Sequence, residues 1–123
     1  MKQRIVAGNW KMNGLRRDLA ELDTLTALHP NPAVDLMLCL PAPLLAEAAL
    51  RAAGHALLIG AQDCHHAASG AHTGDISADM IADTGASAVI LGHSERREDH
   101  EESSEIVRKK ARVAQKAGLT TVI

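Results

Sequence analysis

The run Gly118-Leu119-Thr120-Thr121-Val122-Ile123 decides between two folds. It reads as a glycine helix stop followed by a β-branched strand. The same order recurs upstream. A helix is predicted from about Ser103 to Ala117, with Glu101, Glu102 and Glu105 at its start and Arg108, Lys109, Lys110, Arg112 and Lys116 after them. Acids first and bases last complement the helix dipole. Further back, Ser87 to Leu91 reads as a strand, and Ser77 caps a short helix that ends near Gly85. Asp63 to Asp75 forms a long polar loop rich in His, Gly and Ser, preceded by a strand from Leu57 to Gln62.

The first third of the chain repeats the pattern. Arg4 to Gly8 and Val34 to Leu40 read as strands. Between them Leu15, Leu19, Leu22 and Leu25 recur at helical spacing until Pro30 and Pro32 forbid continuation. Pro43 opens a second helix where its missing N–H costs nothing, with Leu44, Leu45, Ala48 and Ala52 on one face and Gly54 at its end.

Strands alternating with helices imply parallel pairing and right-handed crossovers. One solution is a doubly wound sheet of five strands. The other is an α/β fold of the (β/α)8 barrel type, typically about 250 residues. This chain would then hold about the first four βα units and the start of strand five. A doubly wound domain places a helix after its fifth strand, whereas here Thr120-Thr121-Val122-Ile123 is the final stretch. The expectation is that residues 1–123 are the amino-terminal half of a single barrel domain.

Composition narrows the function classes. Hydrophobic residues make up 46% and charged residues 23%, a globular balance. A net charge of -2 argues against a nucleic-acid partner. Trp10 is the only aromatic residue, so the core is built from Leu, Ile, Val, Met and Ala. Cys39 and Cys64 form no disulfide framework, and Cys39 reads as a small buried hydrophobe, in keeping with a reducing cytoplasm. The basic start Met1-Lys2-Gln3-Arg4 is followed by too short an apolar run for a signal peptide. The stretch from Leu36 to Ala46 is broken by Pro41 and Pro43 and is too short to span a bilayer. The reading is a soluble cytoplasmic chain with no membrane partner.

Reactive groups in α/β proteins gather at the carboxyl ends of strands. Those ends carry Asn9 and Lys11, then Pro41, then Gln62 and Asp63, then His93, Ser94 and Glu95. An amide, an ammonium, an imidazole and a carboxylate on one rim suit a small anionic substrate with a carbonyl. Lys11 supplies a compact positive charge and His93 a hydrogen-bond donor. His93-Ser94-Glu95 is not a catalytic triad, because triads assemble from separated positions. Cys64, His65, His66 and His72 match no zinc spacing, and no metal is assigned to them. The run from Glu95 to Glu105 reads as a helix approach with exposed acids, in which Arg96, Arg97 and Glu102 form structural ion pairs.

Taken together, the strings AGNWKMNG (7–14), GAQD (60–63), HTGDIS (72–77) and VILGHSERR (89–97) are far more specific. In this order and at these separations the chain resembles the triosephosphate isomerases, and the resemblance covers its whole length. It implies a TIM barrel that interconverts dihydroxyacetone phosphate and glyceraldehyde 3-phosphate without a cofactor. It implies that Asn9 and Lys11 bind the phosphorylated triose, with Lys11 near the phosphate and bridging oxygen. His93 is the implied electrophile on the carbonyl, Glu95 the acid that contacts Lys11, and Gln62 a buttress beneath them.

The resemblance further implies a homodimer in which Thr73 of the long third loop enters the partner subunit and Asp75 approaches the partner's Arg96. The family more often has Glu where this chain has Asp75. The family's catalytic Glu follows the sixth strand, so the polypeptide of residues 1–123 is expected to be inactive alone. It is also expected to need its other half or to self-associate. Competing readings are a four-carbon sugar-phosphate isomerase on the same scaffold and a noncatalytic half barrel. A phosphoryl-accepting doubly wound domain would want an acidic pair after strand one, where Asn9 and Lys11 stand.

Overall fold

The computed structural model describes residues 2–123. Strand β1 (Ile5–Asn9) leads through a 3-10 turn (Arg16–Leu19) into helix α1 (Ala20–Leu28). Strand β2 (Asp35–Cys39) is followed by a 3-10 turn (Ala42–Leu44) and α2 (Leu45–Ala52). Then come β3 (Leu57–Ala61), α3 (Ala78–Asp83), β4 (Ala88–Ile90), α4 (Ser94–Asp99), α5 (Ser104–Lys116) and β5 (Thr120–Val122). Among the described residues, no helix is long and apolar enough to cross a membrane.

All pairings are parallel, and the strand order is β1-β2-β3-β4-β5. A doubly wound sheet reverses its strand order at a switch point. Here every neighbour in the sheet is also the neighbour in sequence, which is the ordering of a barrel wall.

The sheet has two apolar faces. Leu40, Ile59, Val89 and Leu91 pack with the helices, joined by Leu22, Leu45, Ala48, Ile81, Val107 and Ala114. The side chains of alternate parity make a second cluster, Met37, Cys39 and Ala88, with Ile90 and Val122 against it. The inner face of this half barrel is dry at its centre and open only at its margin. Met37 is 2% exposed and Cys39 and Ala88 are fully buried, whereas Ile5, on the same face of edge strand β1, is 43% exposed. Curling of the sheet closes the middle of the concave face and leaves its rims open.

Gly60 makes that closure possible. It pairs with Cys39 on one side and Ala88 on the other, and a Cβ built there would lie 2.8 Å from Cys39 Sγ.

Two sequence expectations are corrected in the second half. The segment after β4 is not only an approach to a long helix: Ser94–Asp99 is itself a short helix. It has no apolar residue and so no periodicity to announce it. Nor are all the acids that follow exposed. Glu101 makes the connecting turn with a left-handed φ of 53°, which directs Glu102 inward, where its side chain is only 6% exposed. The Ser77 cap is as the sequence suggests, and Ser103, read as the first residue of its helix, is the cap of α5. Ser77 Oγ accepts the Met80 N–H, and Ser103 Oγ accepts that of Ile106, both at 3.2 Å.

Gly60→Ala is expected to lower stability by about 1–3 kcal/mol, the usual cost of overpacking a core. Pairing it with Cys39→Ala removes the sulfur that clashes. Urea unfolding of the two variants should therefore show the double variant losing less than the sum of the single losses.

Candidate active site

Parallel strands put their carboxyl ends on one rim, and that rim holds a cavity of about 370 Å³. Asn9, Lys11, Gln62, His93, Glu95 and Arg96 are among its lining residues. The structure thus brings together the amine, imidazole, amide and carboxylate expected from strand ends one, three and four. Thr73 and Asp75 are not in the lining; they lie on the exposed loop between β3 and α3.

Lys11 follows β1 in a left-handed backbone conformation, φ 57°. For a residue with a Cβ this costs roughly 1–2 kcal/mol and persists only where neighbours enforce it. Asn9 Oδ1 accepts the Lys11 N–H at 2.9 Å. The Gln62 amide donates to that same Oδ1 at 3.0 Å and to the Lys11 carbonyl at 2.8 Å. The end of β3 therefore holds the peptide that aims Lys11.

Lys11 Nζ lies 2.9 Å from Glu95 Oε1, and Glu95 Oε2 lies 3.6 Å from His93 Nδ1. The hydrogen bond from Lys11 holds the Glu95 carboxyl below its ordinary range. His93 caps α4: its Nδ1 accepts the Glu95 backbone N–H at 3.1 Å. A ring nitrogen that accepts carries no proton, so the hydrogen of the neutral imidazole sits on Nε2, as an N–H donor. Arg97 does not form the ion pair expected of it. Its Nε donates to the Gly92 carbonyl at 2.8 Å and its Nη1 to Ser104 Oγ at 3.1 Å, tying the turn before His93 to the start of α5.

Below α4 lies a closed ring of four charges that the sequence reading found only in part. Arg96 reaches Asp63 at 3.1 Å and Glu102 at 2.9 Å. Lys110 reaches Asp63 at 2.9 Å and Glu102 at 2.6 Å. The expected Arg96–Glu102 pair is there; Asp63 and Lys110 were not foreseen as members. One signal was available. Lys110 falls on the stripe of α5 that carries Val107, Ala111 and Ala114, where a solvated lysine does not belong.

Glu102 Oε1 is buried with no partner among the described residues. Burial raises the Glu102 pKa, but the hydrogen bonds from Lys110 and Arg96 outweigh it and leave the carboxyl below its ordinary range. Burial likewise lowers the Lys110 pKa, and its bonds to Glu102 and Asp63 more than compensate, raising it overall.

Cys64 is buried rather than part of a solvated loop, and burial pushes both cysteine thiols up to about 11. Neither is a thiolate nucleophile at neutral pH. Among the described residues no group of three or more His, Cys, Asp or Glu is placed to hold a metal ion.

Consecutive parallel strands with a polar rim define the class: these are the opening βα units of a (β/α)8 barrel. The family model for triosephosphate isomerase matches residues 4–123. The triosephosphate isomerase of Ruegeria pomeroyi is 55% identical over 123 residues, covering 100% of this chain and 49% of the relative. That of Bradyrhizobium sp. (strain ORS 278) is 54% identical over 122 residues, covering 97% of this chain and 49% of the relative. The crystal structure of triosephosphate isomerase from Bartonella henselae superposes with a TM-score of 0.94 at 44% identity, covering 98% of this chain and 50% of that one. The chain belongs to the triosephosphate isomerase family. It spans about half the length of the curated relatives it matches.

Glu102→Gln leaves two cations sharing Asp63 in a half-dry site and is expected to cost about 3 kcal/mol. Asp63→Asn should cost less, because Asp63 is 23% exposed against 6% for Glu102. The depressed Glu102 pKa stabilises the fold above the unfolded carboxylate value of about 4.3, and that contribution is lost as pH falls through the folded value. The raised Lys110 pKa stabilises it below about 10.4, with loss as pH rises through the folded value. Urea midpoints against pH should fall at both ends for the native chain, and the acid limb should flatten in Glu102→Gln.

Proposed function

We propose that the intact protein carrying these residues interconverts dihydroxyacetone phosphate and glyceraldehyde 3-phosphate through an enediolate. We read residues 1–123 as the amino-terminal half of its single barrel domain. The observation that supports this most is that Lys11 and the donor-bearing imidazole of His93 line one cavity and are joined through Glu95, whose carboxylate holds the Lys11 ammonium and whose backbone N–H donates to His93 Nδ1. Removing a proton beside a carbonyl transfers negative charge to oxygen. In the reading offered here, His93 donates its Nε2 hydrogen to that oxygen, and Lys11 neutralises the phosphate and bridging oxygen. Asn9 binds the substrate with Lys11 and fixes its backbone, and Glu95 keeps the ammonium extended toward the cavity. A preorganised neutral donor of this kind lowers a barrier by roughly 3–4 kcal/mol. No cofactor is required, because the step moves only protons. The base that takes the substrate proton belongs, by the family resemblance, after a sixth strand.

The same reading makes the protein a cytoplasmic homodimer, with Thr73 and Asp75 on the arm that enters the partner and Arg96 at the receiving surface. Arg96 has two of its nitrogens engaged, Nε with Glu102 and Nη2 with Asp63, which leaves Nη1 for an incoming carboxylate.

In the intact protein, His93→Gln is expected to lower kcat by about 10²–10³-fold with little change in KM, as for loss of one oxyanion donor. A steady-state comparison at neutral pH checks it, and an unchanged kcat refutes the role. A polypeptide of residues 1–123 alone is expected to show no turnover of dihydroxyacetone phosphate. Its exposed edge at Ile5 and Val6 should make it self-associate, visible by light scattering.

A further inference from the structure

A second group of titratable side chains lies away from the cavity, in the loop between β3 and α3. The rings of His65 and His72 stack with centroids 4.0 Å apart, and those of His65 and His66 with centroids 4.4 Å apart. The interplanar angles are 25° and 22°. Lone pairs of stacked rings lie in nearly parallel planes and do not converge on one point about 2 Å from each nitrogen, so the stack is not a metal site.

His65 also closes the neck of the loop. Its backbone N–H donates to Ile76 O at 2.8 Å, and it bridges to Ser77, the cap of α3. Its ring holds the turn beyond: Nδ1 accepts the Ala67 N–H at 2.9 Å. Closure therefore uses the neutral ring. A proton added to Nδ1 sets one N–H against another and breaks that bond.

Charge works in the same direction. Two cations about 4 Å apart repel by roughly 1 kcal/mol in water and about 4 kcal/mol near a protein surface. The groups around the stack supply little relief. Asp75 lies 4.0 Å from His65 Nε2 and can balance one proton. Asp63 is already bonded to Arg96 and Lys110. Lys109 and Lys110 on α5 add positive charge on this side. Desolvation first, then the nearby His65 and Lys109, hold the His66 ring below the ordinary histidine range.

We propose that the His65–His66–His72 stack is a proton-operated latch: neutral rings keep the loop closed, and their protonation opens it and weakens the assembly the loop serves. The assembly part rests on the reading of this loop as the dimer arm; the latch itself does not.

The test uses the intact protein carrying these residues, compared with a variant combining His65→Asn and His72→Phe. Asn keeps an acceptor for the Ala67 N–H, and Phe keeps an aromatic face, while neither titrates. From about pH 7.5 to about 5.5, where imidazoles change charge, the dimer Kd of the native protein should rise about tenfold or more, with the variant changing less than twofold. Sedimentation velocity reads both. Equal weakening of the two proteins, or none in the native one, overturns the assembly part. Amide exchange at Ala67 reads the latch directly, with or without a folded variant. Protection in the native protein, corrected for intrinsic chemistry, should fall about tenfold over that range. Unchanged protection overturns the latch. A native protein that is monomeric at about pH 7.5 sinks the dimer reading, while the Ala67 measurement still decides the latch.

Discussion

The site depends on a constraint set by strand direction. Because all five strands run the same way, their carboxyl ends share one rim, and Asn9, Gln62 and His93 come together although they are far apart in sequence. Within that rim the bond carrying most structural consequence is the donation from Gln62 to the Lys11 carbonyl. It holds a residue with a Cβ in a conformation that residue would otherwise leave. The position of the lysine charge is thus a property of two strand ends, those of β1 and β3, not of one flexible side chain.

The imidazole is fixed differently. His93 is the cap of α4, so its ring orientation and its tautomer follow from one hydrogen bond to Glu95. A six-residue helix with no buried side chain has little intrinsic stability. Its position comes from polar anchors: Arg97 to Gly92 and Ser104, and Arg96 into the ring with Asp63, Glu102 and Lys110. That ring is electrically neutral and links the end of β3, α4 and α5. Its cost in desolvation is what a uniquely placed charged helix requires, since apolar packing has nothing on α4 to grip.

The strand and helix order was legible in the sequence because Gly54, Gly85, Gly118 and the proline pair Pro30 and Pro32 punctuate runs of clear period. The rim residues were legible for the same reason: strand ends can be read even when strand pairings cannot. What escaped was held by charge rather than by pattern. Helix α4 has no hydrophobic stripe, and Glu102 looks like any other acid before a helix until Glu101 takes its left-handed turn. Lys110 was hidden among the five basic residues of α5, and only its place on the apolar face of the helix distinguished it. The dry patch around Met37, Cys39 and Ala88 was also unforeseen, since it depends on the curl of the sheet and on the missing side chain of Gly60.

Asp63, Cys64 and His65 join these two kinds of order in three consecutive residues. Asp63 is locked in the ion ring, Cys64 is buried beside the Lys110 carbonyl, and His65 opens the loop. The root of the loop is therefore pinned to the scaffold beside the active-site rim, while its body carries His66 and His72. The ring near Glu102 keeps its charges through the range in which histidines titrate, because its carboxyl is held below that range and its lysine above it.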